Sequence, residues 1–333
     1  MVKLVRLVPM VLGGILIAAS PLAAAPLQFR LAQGDDPSAA GQAQSSLSEG
    51  IELYKQGDVR GAIAAYSRAI ELDPSYAFAY NNRGLAQLDM GNYQQAVQDL
   101  SRALEINPGY LFAYNNRARA YERLGNYQAV VADLSQVLRL DANQVEAYEN
   151  RGVAYANLGQ YAAALQDFNQ FLATRPQSSR TLFNRGNVFA RLQQWPEAIA
   201  SYSQALVLVP GNSAILTNRG NAYARSGKLQ RALEDFEAIL AIKPNDAVAL
   251  QNRGNVLFEL QDFKAALGSY GRALDLQPTL AKARFNRGLT HEKLGNRQQA
   301  IADVQASRQL FATQGDVTSQ AQAQKILDQW QTP

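Results

Sequence analysis

The residue type in this chain whose placement points most clearly to chemistry is asparagine. It stands at Asn82, Asn116, Asn150, Asn184, Asn218, Asn252 and Asn286, each 34 residues from the last. A carboxamide carries both a donor and an acceptor, which matches the N–H and C=O of an extended peptide main chain. In mid-helix an asparagine is roughly 0.5–0.7 kcal/mol worse than alanine, so a column kept while its neighbours vary needs a reason. Two reasons are open: a ladder that grips a guest main chain, or a bond from each amide to the adjacent helix. At a net ~0.5–1.5 kcal/mol per hydrogen bond, against ~1–2 kcal/mol to order each guest residue, a ladder alone is near break-even. Side-chain contacts would have to add to it. Arg180, Asn187 and Arg191, then Asn221 and Arg225, then Asn255, share the stripe of the column, and residues 179–192 and 213–226 contain no acid. This is a basic, amide-rich patch suited to a carboxylate or an acidic segment. Upstream, Glu122, Glu146 and Glu149 break the pattern.

Other chemistries find few residues to work with. There is no cysteine, and the one histidine is His291, which removes disulfides, thiolate metal sites and His-rich centres. No carboxylate pair is set in an apolar surround, and no glycine-rich phosphate loop follows a strand. The expectation is therefore no enzyme, no cofactor and no metal. The formal charge is +4, of which Lys3 and Arg6 account for two. The remainder is too close to neutral for the basic footprint that nucleic acid requires.

The elements that must carry these residues show in the same period. Asn-Arg-Gly, or Asn-Arg-Ala at 116–118, recurs seven times at a step of 34, and Ser48-Glu49-Gly50 lies one step upstream. Eight units follow, spanning 43–76, 77–110, 111–144, 145–178, 179–212, 213–246, 247–280 and 281–314. With the asparagine at place 6 of each unit, place 8 is small. Place 20 is Ala62, Ala96, Val130, Ala164, Ala198, Ala232, Ala266 and Ala300, and place 24 is large and apolar. Place 32 is proline in six units, and a glycine at place 15 in six units divides each into two segments of helical length. Places 4, 8 and 11 lie on one face of the first helix and places 20, 24 and 27 on one face of the second. Small residues at 8 and 20 let two axes approach, and stacked neighbours supply a core that one hairpin cannot build alone.

Tyr80, Gly84, Gly91, Tyr93, Ala96, Leu100, Ala103 and Pro108 fall as they do in the tetratricopeptide repeat (TPR), and the chain resembles that family over residues 43–314. Unit 3 departs with Val130 and Ala142, and unit 8 with Arg284 and no proline. The resemblance implies an all-α fold, a right-handed superhelical solenoid of antiparallel helix pairs. Residues 315–333, with Ile326, Leu327 and Trp330 on one face, suit a C-terminal capping helix. In the family, places 2, 6, 9 and 13 line the concave face. The asparagine column there resembles the ladder with which the TPR superhelix of O-linked N-acetylglucosamine transferase holds peptide main chain. The carboxylate clamp of co-chaperone TPR domains also needs a lysine at place 5, where units 5–7 have Phe183, Thr217 and Gln251. The implied role is a non-catalytic adaptor that binds an extended or acidic segment of another protein and assists assembly of an envelope or membrane complex. The alternative is a structural oligomer built through convex or terminal surfaces. The arginine at place 7 faces aspartate at place 23 in five units, which predicts a structural ion pair between the helices of each. Tyr80, Tyr114, Tyr148 and Tyr223 are expected as packing residues.

Residues 1–24 read as a secretory signal: a basic start, an apolar run from Leu7 to Ala19 and small residues before a cleavage point at Ala24. Residues 25–42 read as a flexible tether. Export to a periplasm, or to a thylakoid lumen in a photosynthetic source, is the expectation, with an uncleaved anchor as the other option. No cysteine is present to carry a lipid anchor.

Overall fold

The computed structural model describes residues 38–331. The signal segment and most of the tether lie outside the described residues. Among the described residues every regular element is a helix, and none is long and apolar enough to cross a membrane. The chain divides into two bodies, one ending at Gln177 and the other starting at Ser178.

The N-terminal body holds four helix pairs: α1 (Ala39–Lys55) with α2 (Val59–Leu72), and α3 (Ala77–Asp89) with α4 (Tyr93–Ile106). The others are α5 (Leu111–Arg123) with α6 (Tyr127–Leu140), and α7 (Val145–Asn157) with α8 (Tyr161–Thr174). The C-terminal body starts with α9 (Ser179–Arg191) and α10 (Trp195–Leu208), then α11 (Ser213–Arg225) and α12 (Leu229–Ile242). It continues with α13 (Ala247–Glu259) and α14 (Phe263–Leu276), α15 (Ala281–Lys293) and α16 (Arg297–Thr313), and ends on α17 (Val317–Gln331).

The turn inside each pair is made by one residue in the left-handed region. It is glycine at Gly57 (φ 85°), Gly91 (φ 81°) and four further repeats, but Gln193 (φ 59°) and Gln261 (φ 63°) where repeats 5 and 7 lack the glycine. The geometry of the turn is thus held even where the residue opposes it. The place-8 glycine meets the large place-24 residue across the pair: a Cβ on Gly186 would lie 2.6 Å from the Tyr202 ring, and one on Gly84 2.7 Å from Leu100. The second helix can stop without proline. Repeat 3 has Ala142 there, yet α6 ends at Leu140, because Asp141 accepts from the Asn143 N–H (2.9 Å) and from Gln144 Nε2 (2.7 Å). Repeat 8, with no proline, runs on to Thr313.

The predicted ion pairs are present. Arg83–Asp99, Arg117–Asp133, Arg151–Asp167, Arg219–Asp235 and Arg287–Asp303 are all two-pronged, at 2.6–2.9 Å. Each aspartate is buried. In four of the five the remaining guanidinium nitrogen donates to a serine on the second helix of the preceding repeat: Ser67, Ser101, Ser135 and Ser203, at 3.0–3.1 Å. One side chain therefore ties its own pair together and sets the register on the pair before it. The same guanidiniums stand over tyrosine rings, Arg83 on Tyr80 and Arg117 on Tyr114 at 5.7 Å, and Arg151 on Tyr148 at 5.8 Å. Those tyrosines are partly buried, so they pack and also shield the ion pair from water.

At the end of the C-terminal body α17 lies on α15 and α16. Phe285, Val304 and Phe311 pack there with Ala323, Ile326 and Leu327, all buried. Arg297 sits 5.0 Å above the Trp330 ring and donates to its backbone carbonyl at 2.7 Å.

Candidate peptide-binding face

The expected amide ladder is not exposed. Asn82, Asn116, Asn184, Asn252 and Asn286 are 0% exposed, Asn150 5% and Asn218 8%. Asn187, Asn221 and Asn255 at place 9 are buried as well. Three of the amides bond at the joints between consecutive first helices. Asn218 Nδ2 donates to Asn187 Oδ1 (2.9 Å), Asn286 Nδ2 to Asn255 Oδ1 (2.8 Å) and Asn116 Nδ2 to Asn81 Oδ1 (3.0 Å). Helical spacing identified the shared stripe correctly but not how closely the neighbouring first helix covers it. Small residues at places 3 and 10, such as Ala79, Ala86, Ala113 and Ala120, are buried and let the next axis in. Of the two reasons open for the column, the bond to the adjacent helix is the one shown at Asn116, Asn218 and Asn286. At those joints the asparagines hold the stack.

What stays accessible on the first helices lies at their ends. Arg191 and Arg225 close α9 and α11, are exposed, and face no carboxylate among the described residues. Arg180 is half-buried and engaged with a neighbour. In the N-terminal body the corresponding charges are matched from within. Tyr54 Oη donates to Asp89, which also lies 3.9 Å from Arg119. Arg123 donates to Tyr93 Oη at 2.8 Å, and Glu146 pairs with Arg175 at 2.8 Å. Burial raises the Tyr54 phenol, with Asp89 adding to it, and burial also raises Glu122 against the pull of Arg123 and Arg119. Arg191 and Arg225 thus place unmatched positive charge at the ends of α9 and α11, one repeat apart.

Family models of the tetratricopeptide repeat match residues 50–91, 77–110, 100–131, 120–182, 183–247 and 254–295. The chain is a tetratricopeptide repeat protein. No curated protein matches it. Among solved structures, the C-terminal part of a TPR repeat-containing protein from Cytophaga hutchinsonii is 16% identical. It has a TM-score of 0.63 and covers 72% of this chain and 98% of its own. A tetratricopeptide repeat protein from Parabacteroides merdae is 21% identical (TM-score 0.53), with 75% of this chain and 98% of its own covered. YrrB, described as a TPR protein with an unusual peptide-binding site, is 22% identical (TM-score 0.51), with 56% and 96% covered. At these identities the likeness is one of fold. TPR arrays are scaffolds for protein–protein interaction, and this one has the repeat architecture throughout its described residues.

Three features escaped the sequence reading. The serine that receives the place-7 arginine left a signal, recurring at Ser67, Ser101, Ser135 and Ser203. So did the tyrosine hydroxyls: Tyr202 and Tyr270 donate to Asn187 and Asn255 at 2.8 Å, in the two repeats that have Tyr at place 24 and Asn at place 9 together. The Tyr54–Asp89–Arg119 chain left none, since it joins three different places.

Proposed function

We propose that this TPR protein is a non-catalytic adaptor that holds an extended, acidic segment of another protein along the first helices of its C-terminal body. The observation that carries the reading is the pair Arg191 and Arg225, exposed, without a carboxylate, and equivalent on consecutive first helices. Packed helix axes lie about 8–10 Å apart, and an extended chain advances about 3.3 Å per residue. Two acids three residues apart on the guest therefore match the two guanidiniums. Each such exposed pair contributes little, about 0.2–1 kcal/mol, so binding is weak, salt-sensitive and selective by spacing. The description of YrrB as a peptide-binding TPR protein agrees with a groove role for the fold.

The test is fluorescence anisotropy with a labelled serine-rich peptide bearing glutamate at every third residue, at low and at physiological salt. Binding that Arg191→Glu/Arg225→Glu abolishes, with an unchanged circular-dichroism melt, is the expected result. Equal affinity of the charge-reversed variant overturns the reading. A work place outside the cytoplasmic membrane, with assembly of an envelope complex as the task, follows from the signal-like start and is checked by fractionating cells that express the tagged full chain.

A second reading has its own observation. Val207 (79% exposed), Ile242 (56%) and Leu276 (44%) form apolar ends of second helices, and Leu276 with Val248 and Pro244 borders an open cavity of about 670 Å³. Self-association through this edge is the structural-oligomer alternative, and light scattering on the eluted peak separates it from a monomeric adaptor.

A further inference from the structure

Two joints of the C-terminal body are closed by the same three-residue relay. Tyr202 Oη donates to Asn187 Oδ1 (2.8 Å), which also accepts from Asn218 Nδ2 (2.9 Å). Tyr270, Asn255 and Asn286 repeat the arrangement at 2.8 Å and 2.8 Å. The relay joins the second helix of one repeat, through its own first helix, to the first helix of the next: α10–α9–α11 and α14–α13–α15. The hydroxyl fixes the asparagine oxygen where the next amide can reach it.

The joint between these two lacks the relay. Repeat 6 keeps Asn221 at place 9 and repeat 7 keeps Asn252 at place 6, but place 24 is Phe236, which has no hydroxyl to give. Asn252 is 0% exposed, and neither its Oδ1 nor its Nδ2 has a hydrogen-bond partner. Repeat 1 shows the converse loss. Tyr66 has the hydroxyl but Ile51 stands at place 9, and Tyr66 Oη is buried without a partner. The relay forms in the two repeats where all three members stand together, and the joint of repeats 6 and 7 lacks the tyrosine.

A buried amide with no partner carries its full desolvation penalty uncompensated, and any motion that wets it recovers that penalty. We propose that the joint between α11 and α13 is the yielding joint of the C-terminal body. It opens locally and hydrates the Asn252 carboxamide while the two flanking joints stay shut. Arg191 and Arg225 lie on one side of it, on α9 and α11, and Glu259 and Lys293 on the other, on α13 and α15. Opening therefore changes the spacing between the basic pair and the rest of the face. The claim concerns the chain alone and does not rest on the peptide-binding reading.

Hydrogen-exchange mass spectrometry on the full chain under native conditions tests it. The expected result is that α13 amides exchange on the order of 10-fold faster than those of α11 and α15, the signature of sub-global opening. Phe236→Tyr supplies the missing hydroxyl, in a pocket that holds tyrosine in repeats 5 and 7, and slows α13 to the rate of α15. Tyr202→Phe and Tyr270→Phe do the reverse, each speeding exchange at its own joint. Uniform protection across the three first helices overturns the proposal. So does a Phe236→Tyr variant that melts as the parent does while α13 exchange stays unchanged. Should Phe236→Tyr perturb packing, the two Tyr→Phe variants decide, and no local rise in exchange at their joints is fatal.

Discussion

Gln193 and Gln261 each take a φ that costs a side-chain-bearing residue about 1–2 kcal/mol. Six other repeats place glycine there, so the turn itself is sound and the residue is the source of strain. Gln193→Gly and Gln261→Gly are expected to stabilise the protein by about 0.5–1 kcal/mol each, after the added freedom of glycine in the unfolded chain is set against the relief. Urea melts of the single and double variants check this, and the two should add because they lie two repeats apart. The one histidine offers a second measurement. Burial lowers the pKa of His291, with Arg287 in the same direction and Asp303 against. The folded pKa lies below the unfolded one, so the contribution of the neutral ring is complete above pH ~6.5. It is lost as pH falls through the folded value. The imidazole resonance should titrate below pH 6.5 in the native protein, and His291→Gln should flatten that part of the stability profile.

At the level of the helix pair, the Arg–Asp columns were legible because both partners repeat at one period and stand at the facing places 7 and 23. The asparagine column was equally visible, but its burial was not. Periodicity says which residues share a face, whereas exposure depends on how near the next helix comes, and that is set by Ala79, Ala86 and their equivalents acting together. The Tyr–Asn–Asn relay could have been read from the coincidence of Tyr202 with Asn187 and of Tyr270 with Asn255; it needs places 6, 9 and 24 to be compared across repeats and not column by column. The ion pairs also predict their own energetics. Asp167 is nearly enclosed, with 4% of its side chain exposed, and Arg151 is bonded to it and to Ser135. Asp167→Ala leaves that guanidinium half-satisfied and should cost about 3 kcal/mol. Arg151→Met/Asp167→Leu removes both charges and should cost less than the single change, because an apolar pair of similar volume carries no desolvation penalty. A double-mutant cycle by chemical denaturation measures the difference.

Within each body a repeat contacts its neighbours in sequence, so the stability of a body is close to a sum of repeat and joint terms. A defect at one end should accordingly stay at that end. Helix α17 makes this testable. It covers Phe285 and Phe311, which are 0% and 1% exposed, with Ile326 and Leu327, and without it the last repeat presents a broad apolar face. Ile326→Asp places a charge in that cluster without shortening the chain. The expected outcome is faster amide exchange in α15 and α16 together with a shift to larger species in light scattering. The helices α9 to α12 should keep their protection, because α17 packs on α15 and α16. If protection falls evenly through the C-terminal body, the repeats are coupled over a longer range than nearest-neighbour stacking allows. In that case a yielding joint between α11 and α13 would also be untenable, since one opening would have to carry its flanking joints with it.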